Sequence, residues 1–245
     1  MRVETGKWVE ARELQSAVAS FIEHVLHTPP EVVRNCAANL QEQEKHLESI
    51  ALFDAAAFLS RNAGDHVAEL KRIRYCIEGM NDANKTVVFA DPGAKTIVRD
   101  HVIPMMRDHL RRMRGFAVDR RIKCLEVVLA LHCIERSEER AEEWEEAGQT
   151  LAVAIKSMDD VFGSDATRYR IYGSLLNNLG HVQERRSQLW DAASLYRRAV
   201  QAHKLATNHR SREERRQRIE ESRSNLTLVQ ERLAVTSEWF LRDVL

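Results

Sequence analysis

An all-helical protein built from consecutive antiparallel hairpins is what this chain's composition and residue spacing predict. Leu, Ala, Glu and Arg dominate its 245 residues, and only nine Gly and four Pro interrupt them. Residues of that kind have high helix propensity, and the breakers are few. A second observation is the stretch Ile171–Ala206, which divides into two amphipathic segments around a turn near Arg186–Leu189. Leu175, Leu176, Leu179 and Val182 recur at helical spacing in the first segment, and Ala192, Leu195, Tyr196, Ala199 and Val200 in the second. Gly180, Ala192 and Ala199 fall where the two helices would cross, and a close crossing needs short side chains. Third, the pattern repeats. Leu131, Ile134, Ala147, Leu151 and Ala154 match Leu176, Leu179, Ala192, Tyr196 and Ala199 at a constant shift of 45 residues, with Glu135 in the place of Gly180. Near the start of the chain Val33, Cys36, Ala37, Leu40, Ser49, Phe53 and Ala56 occupy the successive positions.

This layout resembles the tetratricopeptide repeat, a helix–turn–helix unit of about 34 residues. The resemblance rests on Leu176, Leu179, Gly180, Ala192, Tyr196 and Ala199; Gln183 stands where the family has Tyr, and Lys204 where it has a closing Pro. The Leu-Asn-Asn-Leu run, Leu176–Leu179, is similar to repeats of the kinesin light chain type, which also exceed the usual length. The resemblance implies hairpins stacked as a right-handed superhelix, an α-α solenoid, with a partner segment held in its concave groove.

Element by element, the reading is one helical-repeat domain over residues 1–245. Residues 1–29 hold an N-terminal helix, about Trp8–Leu26, ended by Pro29 and Pro30 because residues around a Pro pair cannot stay helical. Residues 30–63 form a repeat-like hairpin, about Glu31–Glu44 and Leu47–Arg61, closed by Asn62–Asp65. Residues 64–116 form another, in which a helix over His66–Glu78 leads into an extended loop at 79–96. Gly79, Asn81, Asp82, Asn84, Pro92 and Gly93 are turn formers, and Val87–Phe89 is strand-like. The helix after Lys95 contains Pro104, so a kink or break is expected near Val102–Pro104. Residues 117–163 pair Ala117–Arg136 with Ser137–Val161, and residues 164–208 hold the best repeat, its first helix capped by Asp165. Residues 209–245 read as capping helices: a long polar one over Ser211–Thr236, then a short one at the end.

Charge and chemistry narrow the function. Lys plus Arg and Asp plus Glu are both 37, so no net field draws the chain to nucleic acid or membrane. No run approaches the roughly 18 apolar residues of a membrane span, and the opening residues do not read as a secretory signal. Cys36, Cys76, Cys124 and Cys133 lack CxxC spacing and read as thiols in a reducing compartment. The expected location is therefore the cytoplasm or the cytoskeleton. Gly79–Thr86 lies one residue from a phosphate-binding loop, but a polar helix precedes it and no helix N-terminus follows. His24 with His27, and Cys124 with His132 and Cys133, do not make metal spacing. No catalytic residue, metal or cofactor is expected.

The expected function is a non-enzymatic protein–protein scaffold or adaptor, a subunit of a larger assembly. Carried over by the resemblance, the groove-facing positions are Asn177, Asn178, His181 and Arg185, with His132, Arg136 and Arg140 in the upstream copy. Asn amides can bond both groups of a peptide backbone, and Arg can pair with carboxylates. The two-Lys clamp of chaperone-binding members is missing. An alternative is an adaptor for acidic or phosphorylated peptides, using a basic patch of Arg107, Arg111, Arg112, Arg114, Arg120 and Arg121, followed by Lys123. A second block, Arg210, Arg212, Arg215, Arg216 and Arg218, offers the same chemistry. RNA is a third reading, weakened because only Phe116 could stack on a base. Solvated faces and inter-helix ion pairs are the competing structural explanation of these charges.

Overall fold

The structure, a computed structural model, describes residues Thr28–Val244, so the helix expected over Trp8–Leu26 lies outside them. Among the described residues the regular elements are all helical. They are α1 (Pro30–Glu42), α2 (His46–Asn62), α3 (His66–Ala90), α4 (Ile103–Arg114), α5 (Arg120–Arg140), α6 (Trp144–Phe162), α7 (Arg170–Arg185), α8 (Leu189–Leu205) and α9 (Arg212–Val244), with shorter helical turns between some of them. No described helix is long and apolar enough to cross a membrane. The chain divides into two compact units, Met1–Glu143 and Trp144–Leu245, and the division falls between the two helices expected in residues 117–163.

In the first unit α1 packs on α2 and α2 on α3, while α4 and α5 pack on α3 and on each other. Ala37, Ser49, Phe53 and Ala56, four of the signature positions, are buried, and Ser49 Oγ donates to the Ala37 carbonyl at 2.9 Å across the α1–α2 crossing. The expected loop at 79–96 is mostly helix: α3 continues through it to Ala90. Tertiary contacts override the turn propensity there. Gly79 lies against Ile50, where a Cβ would come within 2.9 Å of the Ile50 side chain. Met80 and Ala83 are core residues, and buried Asn84 donates to Ser137 Oγ at 3.2 Å. The near phosphate-binding loop is thus a helix. The irregularity expected at Pro104 is a π-turn over Val98–Val102, in which the Ile103 N–H reaches Val98 O just before the proline. Asp119 caps α5, accepting from the N–H groups of Arg121 and Ile122.

In the second unit α6, α7, α8 and α9 pack in sequence. Leu176, Ala192, Tyr196 and Ala199 are buried; Gly180 touches the Tyr196 ring, and a Cβ at Gly180 would meet that ring at 2.8 Å. Asp165 does not cap α7. It pairs with Arg168 in a 3₁₀ segment, Gly163–Arg168, and Asn208 Oδ1 accepts from the Arg170 N–H at 2.6 Å instead. The C-terminal segment is one helix rather than two, because neither Gly nor Pro occurs after Gly180; at its start Ser211 Oγ accepts from the Glu214 N–H at 3.0 Å and Glu214 Oε2 from the Arg210 N–H at 2.5 Å.

Four helices end alike. Glu44, Gly64, Glu142 and Ser187 take φ of 58°, 74°, 63° and 62°. The next N–H then reaches back five residues: Lys45 to Leu40, Asp65 to Ser60, Glu143 to Glu138 and Gln188 to Gln183, each at 2.8–2.9 Å. This is the Schellman closure, which satisfies the last carbonyls of a helix. Glu142 and Ser187 stand 45 residues apart, the shift read from the sequence. The turn after α5 therefore lies at Ala141–Glu143, not at Ser137. Ser137 is buried inside the helix, its hydroxyl donating to Cys133 O. Three of the four left-handed positions carry a Cβ, which that conformation disfavours. Ser187→Gly is accordingly expected to stabilise the protein by about 0.5–1 kcal/mol, seen as a raised urea midpoint at unchanged slope.

Candidate functional site

Most expected groove residues are engaged within the chain. Asn177 on α7 is buried, and its Oδ1 accepts from Ser222 Oγ at 3.0 Å and Asn225 Nδ2 at 3.3 Å, both on α9. It fastens the last helix. Asn178 is also buried. His181 and Arg185 gather on Trp144: the His181 ring meets the indole edge-on at 5.9 Å, the Arg185 guanidinium lies 5.3 Å from the indole centroid, and Arg185 Nε reaches His181 Nε2 at 3.4 Å. In the first unit His132 Nδ1 bonds Glu135 at 3.0 Å. Burial raises the Glu135 carboxyl above its ordinary range, opposed by the hydrogen bond from His132. Arg140 donates to the Asn81 carbonyl at 3.0 Å and its side-chain oxygen at 2.8 Å, with its pKa lowered by burial. Arg136 is exposed.

Three of the six arginines of the basic patch, all on α4, are neutralised. Arg107 pairs at 2.7 Å with Glu138, a buried carboxylate; Arg112 pairs at 3.0 Å with Asp54; and Arg111 pairs with Asp108. Arg114 is exposed at the end of α4, and Arg120 and Arg121 occupy the first turn of α5. These arginines serve in good part as ion-pair partners on the helix surface.

The second block behaves differently. The last turn of α8 and the first three turns of α9 enclose an open groove lined by Lys204, Arg212, Arg215, Arg216, Ile219, Glu220 and Arg223. The spacing is that of one helical face: 212, 215, 216, 219, 220, 223. Arg210 and Arg218 leave this face, Arg218 pairing with Glu221 at 3.0 Å. Arg215 donates to the Lys204 carbonyl, which ties the cationic stripe to the end of α8. Glu220, the one acid lining the groove, lies 3.6 Å from Arg223, and Arg212 and Arg216 have no ion pair among the described residues. Clustering along the sequence marks Arg212, Arg215 and Arg216 but neither Lys204 nor Arg223. A helical-face filter through Arg212 would have found Arg223, whereas Lys204 joins only through tertiary packing.

At the end of α8, next to Lys204, lies a histidine pair. His203 is buried against Gly173, and the His209 Nε2–H donates to the His203 carbonyl at 3.2 Å. Burial, helped by His209 and Arg218, pushes His203 down to about 4 from its ordinary 6.5. Its neutral form belongs to the folded state, so its stabilising effect is full above pH 6.5 and is lost as pH falls towards 4. The loss is about 2–3 kcal/mol. Melting curves from pH 7.5 to 4 are expected to fall more steeply for the natural protein than for His203→Gln; parallel curves would contradict the assignment.

All four cysteines are free thiols. Burial raises Cys124 to about 11 and Cys133 to about 12, which disfavours the nucleophilic thiolate. The chain matches no protein-family model and no curated protein with which it was compared.

Proposed function

We propose that this protein is a non-enzymatic interaction scaffold of stacked tetratricopeptide-like hairpins, arranged as a right-handed superhelix, that docks an acidic segment of a partner protein in the α8–α9 groove. The observation that carries the reading is the cationic stripe: Lys204, Arg212, Arg215, Arg216 and Arg223 against a single Glu220 on an open surface. Charges of one sign concentrated along a concave surface steer an oppositely charged ligand and set its register. Arg guanidinium groups suit carboxylates because their donors match both oxygens. The buried signature positions and the four identical helix ends support the repeat reading. The free cysteines support a reducing compartment, the cytoplasm.

Anisotropy titration of a labelled Glu- and Asp-rich peptide tests this. Binding is expected to be saturable and to weaken steeply from low to physiological salt, because exposed ion pairs are screened over about 8 Å there. Equal affinity for a neutral peptide of the same length would overturn the acidic specificity. Preferential retention of RNA would transfer the groove to a nucleic-acid role.

A further inference from the structure

Three potential metal ligands from three helices converge inside the first unit. Asp54 on α2, Cys76 on α3 and His109 on α4 bring a carboxylate oxygen, a thiol and an imidazole nitrogen within 4.8 Å of one another. His109 is 8% exposed and Cys76 fully buried, while Asp54 opens the cluster towards the surface. The orientation of His109 is decisive. Its Nδ1 lies 3.0 Å from the Met105 carbonyl, which only accepts, so Nδ1 carries the proton. In the neutral ring Nε2 is then a bare lone pair. It is buried without a hydrogen-bond partner and stands 3.8 Å from Asp54 Oδ1.

A lone pair facing a carboxylate leaves two acceptors with no donor between them. Arg112 donates to Asp54 Oδ1 at 3.0 Å but makes no bond to Nε2, so it does not relieve the mismatch there. Nor does a thiol nucleophile account for the arrangement. A Cys–His–Asp triad uses one imidazole nitrogen for the thiol and the other for the acid. Here Nδ1 is committed to Met105, the acid faces Nε2, and the thiol has no exposed surface.

We propose that Asp54, Cys76 and His109 bind one zinc-class divalent cation that ties α2, α3 and α4 together. The donor set of one nitrogen, one sulfur and one oxygen suits zinc and its tetrahedral analogue cobalt, and the thiolate disfavours magnesium and calcium. The Met105 carbonyl plays the outer role usual for a ligating histidine, fixing the tautomer that leaves Nε2 for the metal. Zinc bonds of about 2.0–2.3 Å draw three ligands closer than this cluster now stands, a movement within reach of side-chain rotation. Asp54 is the more exposed ligand, and water reaching the cluster from its side would complete the coordination.

Cobalt titration of chelator-treated, full-length protein reads the site directly. One equivalent is expected to produce a thiolate-to-cobalt charge-transfer band and a tetrahedral visible spectrum, both bleached by zinc. Zinc is also expected to raise the melting temperature. Cys36→Ala, which removes the exposed thiol, keeps the band; Cys76→Ala loses it. Asp54→Asn, at the open edge, serves where Cys76→Ala fails to fold, and weakens cobalt binding at least about tenfold. A folded natural protein that shows no thiolate band at one equivalent overturns the proposal. So does a band that survives unchanged in folded Cys76→Ala or Asp54→Asn.

Discussion

Tyr196→Ala is expected to cost about 4 kcal/mol, the effect of emptying a fully buried aromatic site. Its ring lies against Gly180 on α7 and joins Ala192, Ala193 and Val229 in a core cluster flanked by Leu189, Leu226 and Leu233. One side chain thus holds α7, α8 and α9 together. The hydroxyl donates to Glu184 Oε2 at 3.0 Å, and the other oxygen of Glu184 accepts from Arg232 on α9 at 2.5 Å. Tyr196→Phe removes only the hydrogen bond and is expected to cost about 1 kcal/mol. Gly180→Ala places a methyl 2.8 Å from the ring, so the ring must shift at a cost of about 1–3 kcal/mol. In a Tyr196→Leu background that cost is expected to shrink, giving a coupling of about 1 kcal/mol or more in a double-mutant cycle followed by urea unfolding. Additive effects would mean that the Gly–Tyr contact does not set the crossing.

Helix and hairpin were legible wherever local signals and burial agreed. The Asn62–Asp65 turn was readable because its breakers and the amphipathic phase change together, and the Arg186–Leu189 turn from the phase change alone. The turn at Ala141–Glu143 was not, because its left-handed residue is Glu142 rather than Gly, and Ser137 imitated a cap while lying inside the helix. The 79–96 stretch failed for the opposite reason. Its Gly and Asn are turn formers in isolation, yet Gly79 makes room for Ile50 and Asn84 finds Ser137, partners 29 and 53 residues distant in sequence. The site shows the same limit. Charge clustering located Arg212, Arg215 and Arg216, but not that the Arg107 and Arg112 charges are spent on Glu138 and Asp54. Asn177 looked like a groove residue because its partners, Ser222 and Asn225, belong to a helix 45 or more residues away. The Asp54, Cys76 and His109 convergence has no local spacing at all.

Reversing the groove charges is expected to abolish acidic-segment binding while leaving the fold intact. Arg212 and Arg216 are exposed on α9 and have no ion pair among the described residues, so Arg212→Glu with Arg216→Glu removes no internal contact of that kind. Two reversals replace two attractions with two repulsions; at about 0.5 kcal/mol for each of these four exposed charge interactions, the sum of about 2 kcal/mol lowers the affinity by more than about tenfold. The off-site control is Arg107→Gln on α4, whose charge neutralises Glu138 and is not part of the groove. The decisive measurement is the dissociation constant of the labelled acidic peptide for the natural protein, the double reversal and the control, at low salt and with helicity verified. Loss of binding in the double reversal alone is the predicted result. Unchanged binding in a folded double reversal, or equal loss in the folded control, would contradict a docking site between α8 and α9.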